Sequence, residues 1–250
     1  MCYWHSPPDK SLPLRVTDDR RKLLMRILVV AATSEEITPL VARLSSVSNG
    51  DAKIRRATYN SHDVDVLITG VGMVATAAWC SQSIARTTYD LGLNFGVCGA
   101  FDRALAPGSV VHVVADRLAE LGAEDHDTFL TIQQLRLLDD DEFPFKGGEL
   151  VNADPPVNPA LSRLPAVNGI TVNTSHGSAA SIAAAAARFK PRVESMEGAA
   201  FMYACLINRL PFAQVRSVSN LVEPRNRGAW RMADAIRSLG EAAISILDCA

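Results

Sequence analysis

Five pairs or triplets of polar or small residues follow directly on short apolar runs, and their types are those of acid–base work. Ser34, Glu35 and Glu36 come after the run at 27–32, and Cys98 and Gly99 after 93–97. Ser175 and His176 follow 170–173, Met196 and Glu197 follow 192–195, and Ser219 and Asn220 follow 213–218. A carboxylate accepts protons or two hydroxyl donors, and an amide both donates and accepts. Two carboxylates and an amide meeting at one place therefore suit proton transfer on a neutral polar substrate.

The elements around these residues would bring them together. The runs at 27–32, 64–69, 93–97, 110–115, 170–173, 192–195 and 213–218 read as strands, most of them continuous apolar segments covered on both faces. Helical periods occupy 73–89, 178–189, 198–209 and 229–247. Strands alternating with helices predict an α/β, doubly wound domain over 25–250, with a central mostly parallel mixed sheet flanked by helices. In such a sheet ligands sit beyond the carboxyl ends of the strands, where the residues above lie on one rim. The stretch 116–165 holds Asp139-Asp140-Asp141-Glu142 and five prolines without a period. It reads as an excursion from the sheet and not as a second domain.

The remaining signals mostly exclude. Among 250 residues, 25 Lys+Arg balance 27 Asp+Glu for a net charge of −2, which argues against nucleic-acid binding. No apolar run approaches the roughly 18–20 residues of a bilayer span, so no membrane role is expected. Cys2, Cys80, Cys98, Cys205 and Cys249 are odd in number and scattered, consistent with a reducing cytoplasm and neither a disulfide framework nor a zinc site. Residues 1–24 are polar, and read as a disordered extension or an upstream start before Met25. Gly70-Val71-Gly72-Met73-Val74-Ala75 spells G-x-G-x-x-A, but the acid a dinucleotide ribose needs is not at the end of the following strand. Tight turning explains those glycines. Ser175-His176 is no triad, and His126 sits in an acidic loop without metal-ligand spacing.

Ser195-Met196-Glu197-Gly198-Ala199-Ala200, Arg216-Ser217-Val218-Ser219-Asn220 and Ala32-Thr33-Ser34-Glu35-Glu36 together resemble the purine nucleoside phosphorylase/nucleosidase family. Gly70-Val71-Gly72 and Pro107-Gly108-Ser109-Val110-Val111 fit the same pattern. The resemblance implies that Glu197 binds both ribose hydroxyls and favours a cationic sugar; the alternative is a carboxylate at a helix start. Met196 would pack on the ribose, or else serve the core. The phosphorolytic branch carries cations and hydroxyls for phosphate, whereas this chain has Glu35 and Glu36 after the first strand and Asn94-Phe95-Gly96-Val97 before Cys98-Gly99. Water is then the nucleophile, with Glu36 as its base, or Glu35 if the register differs by one.

Where adenine-cleaving members carry aspartate, this chain has Asn220, whose amide suits the O6 and N7 of hypoxanthine; a flipped amide tolerates adenine. Residues 221–230, with Arg225, Arg227 and Trp230, are similar to the futalosine hydrolase branch, as is 119–125. That likeness implies an inosine-like substrate with a 5′ carboxyphenyl tail, its carboxylate held by Arg225 and Arg227 unless these only cap the last helix. The implied mechanism needs no metal or organic cofactor, and the family implies a homo-oligomer, a dimer or larger. The rivals are methylthioadenosine/S-adenosylhomocysteine nucleosidase, purine nucleoside phosphorylase and a silent nucleoside-binding protein.

Overall fold

The computed structural model describes residues 24–49 and 53–250. Its first strand, β1 (Arg26–Ala31), is the expected apolar run, buried at all but its first residue. Helix α1 (Ser34–Val41) begins where Thr33 and Glu36 form a capping box: Thr33 Oγ1 accepts from the Glu36 amide, and the Glu36 carboxylate from the Thr33 amide. The sequence reading assigned no helix here, because eight residues with Pro39 inside show little period. Two further unassigned strands, the polar β2 (Ser45–Asn49) and β3 (Ile54–Tyr59), form an antiparallel edge. Then come β4 (His62–Ile68), α2 (Met73–Arg86), β5 (Leu91–Ala100) and β6 (Val110–Leu118). Helix α2 stops three residues short of the expected 89, and Tyr89 is drawn into the core instead, its hydroxyl donating to Asp65 at 2.8 Å.

The stretch 116–165 leaves the sheet only in part, which corrects the expectation. Its start completes β6, β7 (Gly122–Asp125) and β8 (Thr128–Thr131) make a separate hairpin, and β9 (Phe145–Lys146) and β10 (Glu149–Val151) return to extend the sheet beside β6. Strands of two to four residues are too short to carry a readable alternation. The chain continues through β11 (Ala166–Thr171), α3 (Ala179–Phe189), β12 (Val193–Ser195), α4 (Gly198–Ile207), β13 (Phe212–Leu221) and α5 (Met232–Asp248). These match the expected elements within a few residues, except that a single 3-10 turn (Arg227–Ala229) precedes α5.

The main sheet runs β2-β3-β4-β1-β5-β12-β11-β6-β10-β9, and β13 bridges β5 and β6. It is mixed. Parallel pairing joins β4, β1, β5 and β13, and also β6, β11 and β12; antiparallel pairing links these groups and forms the edges. Because β13 touches both β5 and β6, the strands β5, β12, β11, β6 and β13 close into a ring. Cys98, Ala100, Val111, Val113, Val167, Val193 and Val218 gather from all five of those strands into one cluster. Helices cover both faces, as the pleat of β1 requires. Ile27, Val29 and Ala31 pack with α1 and α5, while Leu28 and Val30 pack with α2 and α4. Among the described residues no helix is long and apolar enough to cross a membrane. The expected extension over 1–24 lies, apart from Leu24, outside the described residues.

Candidate active site

The carboxyl-terminal part of β5 and the segments that follow β1, β4, β11, β12 and β13 surround a cavity of about 490 Å³. Its wall includes Glu35, Glu36, Cys98, Gly99, His176, Met196, Glu197, Asn220, Arg225 and Trp230. Of the residues singled out from the sequence as rim or ligand contacts, Ser34 lies outside that wall, and so does Arg227, exposed on the 3-10 turn that leads the chain away toward α5.

Glu36 is anchored from both sides of its carboxylate. Oε1 accepts from the Val97 amide at 3.0 Å, and Oε2 from the Thr33 amide at 3.0 Å and the Thr33 hydroxyl at 3.2 Å. A carboxylate offers about four lone-pair directions, so Oε1 keeps one for a proton. Glu36 is buried, whereas Glu35 on the same wall is exposed. The residue at the helix start and the residue at the cavity are thus one.

Glu197, 5% exposed, accepts from the Gly72 amide at 3.1 Å and faces the Arg216 guanidinium at 3.5 Å. The G-x-G turn therefore does more than pack: Gly72, at φ +101°, aims its N–H at this carboxylate. Burial pushes the Glu197 carboxyl above the usual range, and the negative Glu36 nearby adds to this, while Arg216 and the Gly72 amide pull it back.

Arg216 was not assigned a role from the sequence. It is only 1% exposed, on β13, with Nη2 donating to Asn94 Oδ1 at 2.6 Å and Nε to Gln214 Oε1 at 3.1 Å. A Cβ on Gly96 would lie 2.1 Å from Arg216 Nη1 and 3.2 Å from Glu36 Oε1, so the guanidinium crosses that glycine beside both carboxylates. The rim is consequently not purely anionic: a buried cation lies beside the two buried carboxylates, paired with Glu197 and with further donors directed at Gln214 and Asn94. An arginine inside an apolar strand, a residue type that is almost never buried unpaired, was the available signal.

At the far wall a bulge in β13 makes Ser219 the extra residue and sets Asn220 opposite Gly99. Asn220 Nδ2 donates to the Leu221 carbonyl at 2.8 Å, so Oδ1 turns toward Ser219, whose hydroxyl lies 2.8 Å away. That hydroxyl carries one hydrogen, and its other neighbour, the Cys98 carbonyl, lies at 3.1 Å. The amide orientation is thereby set, and Nδ2 retains one N–H for a ligand. Burial pushes the Cys98 thiol up to about 12, so that wall contributes its backbone and shape and no thiolate. Met196 is half-buried at the wall. At the mouth, exposed Arg225 lies 5.7 Å over the Trp230 ring, and its amide donates to the Gly177 carbonyl.

Among the described residues no group of three or more His, Cys, Asp or Glu side chains could hold a metal ion. Residues 26–248 match the family model of the phosphorylase superfamily. The chain is 32% identical over 189 residues to a futalosine hydrolase of Streptomyces coelicolor, covering 71% of this chain and 76% of that one. It is 30% identical over 228 residues to a futalosine hydrolase of Acidothermus cellulolyticus, covering 86% and 87%. Its fold is similar to that of an S-adenosylhomocysteine nucleosidase from Streptococcus pyogenes, with a TM-score of 0.76, 18% identity, and 91% and 98% of the two chains covered. The family model spans nearly every element from β1 to α5, and the relatives agree with it: this chain belongs to the phosphorylase superfamily.

Proposed function

We propose that this chain is a nucleosidase that hydrolyses the N-glycosidic bond of futalosine, releasing hypoxanthine and dehypoxanthine futalosine on a route to menaquinone. One observation carries the reading: a single cavity brings the buried carboxylates Glu36 and Glu197 together with a carboxamide, Asn220, where adenine-cleaving members carry a carboxylate. The two relatives named futalosine hydrolases support the same substrate.

In this mechanism the C1′–N9 bond breaks as positive charge grows on the ribose and negative charge on the purine. Glu197 binds the ribose hydroxyls and favours the cationic sugar. Glu36 takes the proton of the attacking water through the free lone pair of Oε1, help that typically contributes about 10²–10⁴-fold. Asn220 offers its remaining N–H to O6 or N7 of the departing 6-oxopurine. Phosphate is disfavoured, because Glu35, Glu36 and Glu197 face the cavity while the Arg216 donors are directed at Asn94, Gln214 and Glu197. Arg225 and Trp230 flank the mouth as a cation and an aromatic wall for the benzoate tail. Residues 25–250 form the nucleosidase domain, and a cytoplasmic homo-oligomer acting on a free nucleoside is the setting implied.

The test presents futalosine, inosine, aminodeoxyfutalosine and methylthioadenosine separately, with and without phosphate, and follows the released base by chromatography. Hypoxanthine is expected from futalosine at a rate that added phosphate leaves unchanged, with little adenine from any substrate. Faster release of adenine from methylthioadenosine assigns the rival nucleosidase activity, and a strict phosphate requirement assigns a phosphorylase.

A further inference from the structure

We propose that His176, oriented by Glu194, is a further catalytic residue, the acid that hands a proton to the departing purine. The inference rests on the nucleosidase reading and supplies what that reading lacks, since the Asn220 amide has no proton to give up.

The geometry comes from one row of the sheet. Glu194 on β12 pairs with Gly99 on β5, and Asn220 on β13 pairs with the same glycine from the other side. Residues in register across adjacent strands project to the same face, and two strand spacings separate the outer pair by roughly 10 Å. Gly99 between them presents no side chain; a Cβ there would lie 2.8 Å from Val222 and 3.5 Å from Asn220 Nδ2. The row thus sets one polar group at each end of a stretch of cavity wall, with Val222 packed over the glycine between them. All three residues line the cavity.

His176 is seated on the Glu194 end of that row. Its amide donates to Glu194 Oε1 at 3.0 Å, and its Nδ1 is hydrogen-bonded to Glu194 Oε2. A carboxylate only accepts, so Nδ1 carries hydrogen and Nε2 is the atom left to act. Among the described residues Nε2 has no hydrogen-bond partner, and the ring borders the cavity, its side chain 17% exposed. The charged groups around it come from three elements. Glu194 on β12 and Glu120 after β6 favour the imidazolium, while Arg188 on α3 and partial burial oppose it, and the balance raises its pKa above the ordinary 6.5. The ring edge of Phe101 packs against it at 6.1 Å between centroids. Arg225 is tied to the neighbouring Gly177 by its backbone. His176 also borders a second cavity of about 450 Å³, lined by Glu124, His126 and Asp127 of the β7–β8 hairpin and by Arg188.

In the step, the C1′–N9 electron pair leaves with the purine, and the proton on His176 Nε2 moves to an acceptor on the purine edge facing it. Water oxygen bonds to C1′ and its proton goes to Glu36. Neutral His176 and protonated Glu36 then return to their starting forms by proton exchange with solvent, so nucleoside and water become sugar and base. Glu194 touches no reacting atom; it is a positioning residue.

The test compares the full chain with His176→Gln on futalosine, inosine and 4-nitrophenyl β-D-ribofuranoside, whose phenolate departs without a proton. On the two purine nucleosides kcat should fall about 10²-fold. On the nitrophenyl riboside the loss should be smaller by a factor of about ten or more. Equal losses on all three substrates, or no loss on any, would overturn the proposal. Glu194→Gln supplies a second readout that folding of the first variant does not affect. Its kcat–pH profile on futalosine should lose activity at lower pH than the parent, toward 6.5, and an unmoved alkaline limb also overturns the proposal. If the parent chain releases no base from either purine nucleoside, the nucleosidase reading itself fails, a result distinct from any of these.

Discussion

At the scale of the single residue, the two ends of the cavity make different predictions. Glu36→Gln keeps the shape of the side chain and lets its one oxygen hold the Thr33 donors, leaves its NH2 facing the Val97 N–H, and removes the proton acceptor. Turnover of futalosine should drop by about 10²–10⁴-fold with the dissociation constant little changed; a parallel loss of binding in calorimetry would show that the carboxylate holds substrate and does not activate water. Asn220 sets the base. Asn220→Asp replaces the amide N–H by an acceptor and should move the preference from hypoxanthine toward adenine, read as the ratio of kcat/KM for futalosine to that for aminodeoxyfutalosine. Unchanged preference would remove Asn220 from base recognition. Arg225→Ala should raise KM for futalosine and leave inosine, which lacks the tail, nearly untouched. Equal losses would return Arg225 to the role of a surface cap. The carboxylates and the amide were legible in the sequence because each lies near the carboxyl end of a strand: Glu197 two residues past β12, Glu36 five past β1, and Asn220 one before the end of β13. Arg216 was not, since its partners Asn94 and Glu197 are distant along the chain and its own strand reads as core.

At the scale of the element, what positions these groups is a set of glycine contacts and one bulge, neither visible in hydrophobic periodicity. The strand and helix order could be read because the β1, β4, β5 and β13 segments are long apolar runs. The capping box at Thr33–Glu36 was readable too, but its helix is short and holds a proline. The bulge at Ser219 leaves no mark in composition, yet it decides which residue faces Gly99. Gly96 gives the sharpest test. Gly96→Ala puts a methyl group where Arg216 Nη1 now lies, at 2.1 Å, and the guanidinium is enclosed by Asn94, Gln214 and Glu197. Overpacking of this kind costs typically about 1–3 kcal/mol. Displacing the cation also leaves Glu197 and Glu36 facing each other without it. Thermal unfolding should show the lower stability, and activity should fall by more than that loss explains; an active variant of unchanged stability would mean that Arg216 has another resting place.

At the scale of the whole molecule, the ring formed by β5, β12, β11, β6 and β13 ties the site to the core. From Glu197 the buried polar contacts run through Arg216 and Gln214 to Asp116, where Gln214 Nε2 donates at 3.0 Å and Thr171 Oγ1 at 3.0 Å. Closure of the ring depends on a three-residue strand, β12, that pairs antiparallel with β5. A local reading of the sequence reaches β12 as a strand but cannot tell its direction or neighbour, because those follow from contacts far apart in the chain. Asp116, which fell in the stretch read as an excursion, turns out to be a fully buried part of this ring. Burial raises its pKa from 3.8 to about 6, against the opposing pull of Gln214, Thr171 and Arg216. Between those two values the folded chain keeps a proton that the unfolded chain has lost, so folding becomes less favourable as pH rises through the interval. Above about 6 the carboxylate is charged in both states and the destabilisation is complete. Asp116→Asn cannot titrate, and other groups contribute alike to both proteins. The stability of the parent relative to Asp116→Asn, measured by denaturant unfolding, should therefore decline from about pH 4 to about pH 6 and then level off. A difference that stays flat across this range would mean that Asp116 titrates in the folded chain as it does in water, and that the polar chain beneath the site is wetter than its burial implies.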